Sequence, residues 1–230
     1  MASHHPELCR AVASLCVPYG SIDRGLDGLI ALVDRSVYPE AEYAAGQWDY
    51  MRFYENAFDR ARTVFEADCR NTVKALFRKG DARHLGRPSG TASIQRQDGW
   101  FGGADAAPDV PIDHAVIDEE DLEIYAAALS RNGFFGPDSW YMNHEENARY
   151  AATACEDGVL SMPSLFLSAR FDLVCESERS ALGSPMRRLC RDLTWRTIDS
   201  GHWMAQEQPV AVNAALAHWL ATRVADVWPA

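Results

Sequence analysis

The chain has no Gly-x-Ser-x-Gly, Gly-x-Asp-x-Gly or Gly-x-Cys-x-Gly segment. It therefore shows no recognisable elbow that would lift a nucleophile between a strand and a helix. None of its 6 cysteines forms a Cys-x-x-Cys pair. A zinc site or disulfide framework is not expected, and reduced cysteines in a cytoplasmic protein are the expectation. No apolar run approaches the ~20 residues that span a bilayer. The first residues, Met-Ala-Ser-His-His-Pro-Glu, lack a basic stretch followed by an apolar core, so a signal peptide is not expected. Basic residues are scarce beside acidic ones, with Lys+Arg 22 against Asp+Glu 33 and a net charge of -11. That balance argues against nucleic acid or an anionic membrane as the main partner.

What is present is ample apolar material, 47% of 230 residues. This suits one domain, alone or with an inserted cap. Residues 8–17 read as a turn and a buried strand, stopped by Pro18-Tyr19-Gly20. Residues 26–33 are amphipathic, and 38–54 are crowded with aromatics, among them Tyr38, Tyr43, Trp48, Tyr50, Phe53 and Tyr54. The spacing of Phe58, Ala61, Val64 and Phe65, continued by Val73, Leu76 and Phe77, predicts a helix over 57–78. Residues 81–113 are rich in glycine and proline without periodicity and read as a long loop. Asp118 before an acidic first turn predicts a helix start, and Gly133 its end. Residues 134–137 read as a turn, followed by a helix over 140–154. Two β-rich apolar runs follow, 162–169 and 193–198, with a helical turn near 186–190 between them and a helix after Pro209.

Each of those two late strands is followed by a residue suited to chemistry. Asp172 follows the first and His202 the second. Catalytic groups in open α/β sheets gather where parallel strands end. An acid and a later histidine so placed match the second half of a nucleophile, acid, histidine series. A plainer reading stands beside this: Asp172 as a turn or cap residue, and His202 as a core histidine. The acidic run 118–123 reads as a solvated helix start and not as a metal site.

Several segments together resemble the soluble epoxide hydrolases of the α/β-hydrolase superfamily. His5-Pro6-Glu7-Leu8-Cys9-Arg10-Ala11-Val12 is similar to that family's segment following the nucleophile helix. Asp49-Tyr50 with Phe53-Tyr54 resembles the cap segment bearing its first catalytic tyrosine. Residues 131–143, with Gly133-Phe134-Phe135-Gly136-Pro137-Asp138-Ser139-Trp140-Tyr141, look like the segment bearing the second, and Met142 stands where the family has arginine. Asp172 falls on the triad acid, and Gly201-His202-Trp203 on the triad histidine.

The resemblance implies an α/β fold: the C-terminal part of an α/β-hydrolase, parallel strands with an inserted all-helical cap. It divides the chain into a first core strand at 1–20, a cap at 21–155 and the remaining core at 156–230. It implies epoxide opening to a vicinal diol through an alkyl-enzyme ester, with water as co-substrate and neither cofactor nor metal. Tyr50 and Tyr141 would hold the epoxide oxygen, and His202, oriented by Asp172, would activate water. Tyr43, Tyr54 and Trp48 crowd Tyr50, so that assignment depends on register. The family's elbow aspartate and oxyanion segment would lie upstream of Met1, which leaves the chain as written without its nucleophile and exposes a sheet edge open to self-association. A haloalkane-type dehalogenase and a non-catalytic remnant binding a ligand or partner are the alternatives.

Overall fold

The structure is a computed structural model and describes residues 1–224; residues 225–230, the end of the expected third segment, lie outside them. Three strands form one parallel sheet in the order β1 (Val12–Leu15), β2 (Leu160–Ala169), β3 (Cys190–Ile198). Leu165 pairs with Ala13 on one side and Thr194 on the other. A central parallel strand is covered on both faces, and β2 is accordingly an apolar run with Leu165, Phe166 and Leu167 all at 0% exposure.

Alternation along β2 sends those side chains to two cores. Leu165, Leu167 and Ala169 pack with Val212, Ala215 and Trp219 of α9 (Pro209–Arg223). Phe166 faces the other way, onto Met186 of α7 (Ser184–Leu189) and the Trp195 ring at 4.4 Å.

Between β1 and β2 the chain is helical. α1 (Gly25–Ile30), α2 (Asp49–Ala67), α3 (Cys69–Leu76), α4 (Glu119–Asn132), α5 (Phe135–Ser139) and α6 (His144–Ala151) follow in order, and α8 (Met204–Glu207) comes later, just before α9. Asp118 caps α4 by accepting from the Asp121 amide, and Gly133 ends it with φ of 69°, as expected from the sequence.

Several boundaries differ from the sequence reading. The first strand is shorter than 8–17, because Pro6–Leu8 forms a 3-10 turn before it. The single helix expected over 57–78 is two helices, and the first begins at Asp49. The aromatic cluster hid this start, since Tyr50, Phe53 and Tyr54 are themselves the helix's buried face. Asp68 separates the two by leaving helical geometry and capping α3 through the Asn71 amide. The turn expected at 134–137 is the start of α5, with Pro137 inside its first turn, where a missing N–H costs nothing. The helix expected over 140–154 is a 3-10 turn, Trp140–Met142, followed by α6.

The long segment 81–113 holds only 3-10 turns, at Ala82–His84, Gly90–Ser93 and Trp100–Gly103. It is tied down by side chains. Asp49 accepts from the Gln95 amide and side chain at 2.8 and 2.7 Å, the buried Lys74 pairs with Asp109, and Arg78 donates to the Pro111 carbonyl at 2.7 Å.

Phe166→Ala should test the central strand: removing a fully buried ring costs about 3–5 kcal/mol. Urea melts should show that loss, and a loss below about 1 kcal/mol would mean the two cores do not depend on β2.

Candidate active site

A cavity of about 650 Å³ lies between the helical block and the carboxyl ends of the strands. Its lining includes Asp172 and His202 together with Tyr50, Tyr54 and Tyr141, so all four residues singled out from the sequence meet at one space.

Asp172 and His202 are held by the segments that leave β2 and β3. The Phe171 amide donates to the Ser200 carbonyl at 2.9 Å and couples the two segments. Asp172 is 2% exposed, and its carboxylate is fully used. Oδ1 accepts from the amides of Val174 and Cys175, both at 2.9 Å, and Oδ2 pairs with His202 Nδ1 at 2.7 Å. Asp172 thus caps its own turn and also pairs with a histidine. Among the described residues His202 Nε2 has no hydrogen-bond partner, and 43% of the side chain is open. Burial pulls the His202 pKa down. The hydrogen bond to Asp172, the Asp172 charge and the Glu207 charge outweigh it, and the imidazole ends above its ordinary value.

The Gly201-His202-Trp203 segment is locked to the end of α3. A Cβ on Gly201 would lie 2.5 Å from the Gly80 nitrogen, and one on Gly80 would lie 2.4 Å from the Gly201 Cα. Only glycine allows that approach. Glu207 Oε2 accepts from both amides, Gly201 at 2.8 Å and Gly80 at 3.2 Å. Trp203 stacks on Phe77 at 4.0 Å and donates to the Leu76 carbonyl at 3.0 Å.

Tyr50 and Tyr141 meet edge to face at 5.4 Å, and Tyr54 stacks on Tyr141 at the same distance. The Tyr54 hydroxyl faces Asp138, whereas Tyr50 faces Tyr141. Burial pushes the Tyr50 and Tyr54 phenols well above their ordinary range and raises Tyr141 as well. All three stay protonated and remain donors at any working pH. Sequence reasoning passed over Asp138, Glu207 and Cys16. Asp138 stood inside a quoted segment, and its only signal was a carboxyl in an otherwise apolar and small-residue run.

Among the described residues, Cys16, Asp172 and His202 form a group of metal-capable donors within 4.8 Å of one another. Two of those atoms, Asp172 Oδ2 and His202 Nδ1, already serve each other. The Cys16 thiol donates to the His202 carbonyl at 3.0 Å, and burial, followed by the Asp172 charge, pushes its pKa up to about 12. The set is a hydrogen-bonded support for the histidine.

Asp172→Asn should lower the His202 pKa, read by NMR titration of the imidazole, because the raising hydrogen bond and charge are lost while burial remains. The sign follows for stability. The pair's contribution is fully present below about 6.5, the unperturbed value, and fades as pH rises through the raised folded pKa. An unchanged His202 titration in the variant would break the proposed coupling.

No family model matches the chain. It is 28% identical over 225 residues to bifunctional epoxide hydrolase 2 of Rattus norvegicus, covering 97% of this chain and 37% of that protein. It is 35% identical over 112 residues to epoxide hydrolase A of Mycobacterium tuberculosis, covering 46% of this chain and 32% of the relative. The chain thus spans well under two thirds of these relatives' length. Among solved structures, epoxide hydrolase A from Mycobacterium thermoresistibile superposes with a TM-score of 0.65 at 23% identity, covering 95% of this chain and 63% of that one. The Vigna radiata epoxide hydrolase VrEH1 gives 0.61 at 18%, covering 96% and 64%. The fold is that of part of an α/β-hydrolase, and in sequence the chain is similar over nearly its whole length to part of an epoxide hydrolase.

Proposed function

We propose that this chain carries the oxygen-binding and water-activating parts of an epoxide-opening site. The observation that carries the reading is the placement of two permanently protonated tyrosines and an acid-held histidine around one largely apolar cavity. A strained ether ring needs hydrogen-bond donors where its oxygen gains charge, and Tyr50 with Tyr141 supplies a pair. An ester left by ring opening needs a base for water, and His202 with its free Nε2 and its Asp172 partner is built for that step. Tyr50 is preferred over Tyr54 because Tyr54 is engaged by Asp138. The helical block over 21–155 acts as the cap.

The attacking carboxylate of this chemistry is not assigned among the described residues of the lining. The lining carboxyls are Asp81, Asp138 and Asp172. Asp172 is committed to His202, Asp81 is bound by Arg83, and Asp138 sits on the tyrosine side. The reading therefore expects ligand binding without turnover from this chain. The tyrosine pair also favours it over dehalogenation. Among the described residues no helix is long and apolar enough to cross a membrane, and a cytoplasmic location with an epoxide and water as substrates fits the site.

Tyr50→Phe and Tyr141→Phe should each weaken binding of styrene glycol by about 1 kcal/mol, roughly fivefold. Quenching of Trp48 and Trp100, both in the lining, provides the signal. Tyr54→Phe should leave binding nearly unchanged, and loss of binding in that variant alone would reassign the oxygen-binding pair. Styrene oxide should not be turned over by the chain; turnover that survives His202→Ala would overturn the mechanism.

Within the described sheet β1 is an edge strand, and we propose that it mediates self-association. Light scattering after size-exclusion chromatography should show species larger than 25.6 kDa. A monodisperse, cooperatively melting monomer would exclude it.

A further inference from the structure

The cavity holds one carboxyl that the reading above leaves without a role. Asp138 lies in α5, three residues before Tyr141, and is 2% exposed. The residue lines the cavity, and its Oδ2, turned away from open space, has no hydrogen-bond partner. A buried carboxyl oxygen without a partner is costly to keep, so its presence calls for a ligand or a reason.

The groups that face it come from α2 and from the turn carrying Tyr141. Glu66 lies close by, with Oε1 accepting from the Phe134 amide at 2.8 Å. Arg62 is also near, but it is paired with Asp59 at 3.3 Å. The Tyr54 hydroxyl faces the carboxyl directly, and Tyr141 lies within reach of its charge. Burial, and then the Glu66 charge, push the Asp138 carboxyl up to about 7 against the opposing influence of Tyr54 and Arg62. Aromatic faces surround this wall. Tyr54 stacks on Tyr141 at 5.4 Å and lies 6.3 Å from Trp100. Phe65 bridges Trp100 at 5.2 Å and Phe134 at 5.0 Å.

A carboxyl short of a partner, a second carboxylate behind it and several ring faces are the components that hold an ammonium group. We propose that the cavity takes an amine-bearing ligand, with its ammonium seated on the Asp138 carboxyl among the surrounding rings. This rests on the cavity being the substrate site and adds a substrate class to it: an epoxide with a basic nitrogen on the tyrosine side. The competing chemistry is a protonated Asp138 that donates to a neutral ether or carbonyl. It has the opposite pH dependence. Above about 7 the carboxyl is ionised before an amine arrives. Below that, the ammonium must displace a proton, and its affinity falls about tenfold per pH unit. Binding of a neutral ligand to the acid form would instead strengthen.

Isothermal titration of the chain with phenethylamine, its neutral isostere phenethyl alcohol and the anion phenylacetate, from about pH 5.5 to about pH 8.5, tests this. At the upper end the amine should bind about tenfold tighter than the alcohol, with phenylacetate weakest. The amine's advantage should collapse below about pH 7. Asp138→Asn should abolish the preference and leave alcohol binding in place. Glu66→Gln, which keeps an acceptor for the Phe134 amide, should move the break to lower pH. The wild-type pH series stands whether or not either variant folds. Alcohol binding at least as tight as amine binding throughout would overturn the inference and leave the substrate-site reading intact. A preference that persists in Asp138→Asn would also overturn it. Failure of all three probes to bind would remove both.

Discussion

The contact on which the site depends is the backbone approach of Gly80 to Gly201. It joins the segment after α3 to the segment after β3, and neither position has room for a side-chain carbon. Glu207 closes the junction by accepting from both amides, and the Trp203–Phe77 stack covers it. The residues on either side of His202 are thus structural: Gly201 permits the approach, and Trp203 fastens it. The histidine's place over the cavity follows from this steric fact about two glycines together with the hold of Asp172 on its ring.

From that junction the cavity acquires two chemically different walls. Near the strands, a buried carboxylate is satisfied by two amides and one imidazole, and the histidine is held above its ordinary pKa. On the helical side, burial pushes the phenols up, and the nearby Asp138 carboxyl adds to this at Tyr54 and Tyr141, so they stay neutral donors. Removal from water pulls the imidazole down and the phenols up, because an imidazole is charged when protonated and a phenol when deprotonated. Asp138 is the exception on the helical wall, since it is a carboxyl buried where amides do not reach it.

The sheet and the acid–histidine pair were legible from sequence because they rest on short-range signals: apolar runs of strand length ending in a polar residue. The cap of α4 was legible for the same reason, with Asp118 and Gly133 at its two ends. The start of α2 was not. Its first turn is built from tyrosines and a phenylalanine whose burial depends on distant partners, and aromatic density alone does not distinguish a helix face from a loop knot. The Gly80–Gly201 junction was hidden for a stronger reason. Its two halves are more than a hundred residues apart, and Gly80 read only as a helix stop. Asp138 was invisible because an aspartate between proline and serine has the composition of a surface turn, whereas tertiary packing buries it.

The break inside α2 has a mechanical consequence. Ala57 sits at φ -147° and ψ 45°, so the helix is two levers meeting at one residue. The first lever carries Tyr50 and Tyr54 and is anchored through Asp49 to Gln95. The second is tied to α3 by Thr72, whose hydroxyl donates to the Phe65 carbonyl at 2.9 Å. The two halves of α2 are therefore held by separate anchors, so the tyrosine-bearing half and the half that leads to α3 are fastened independently.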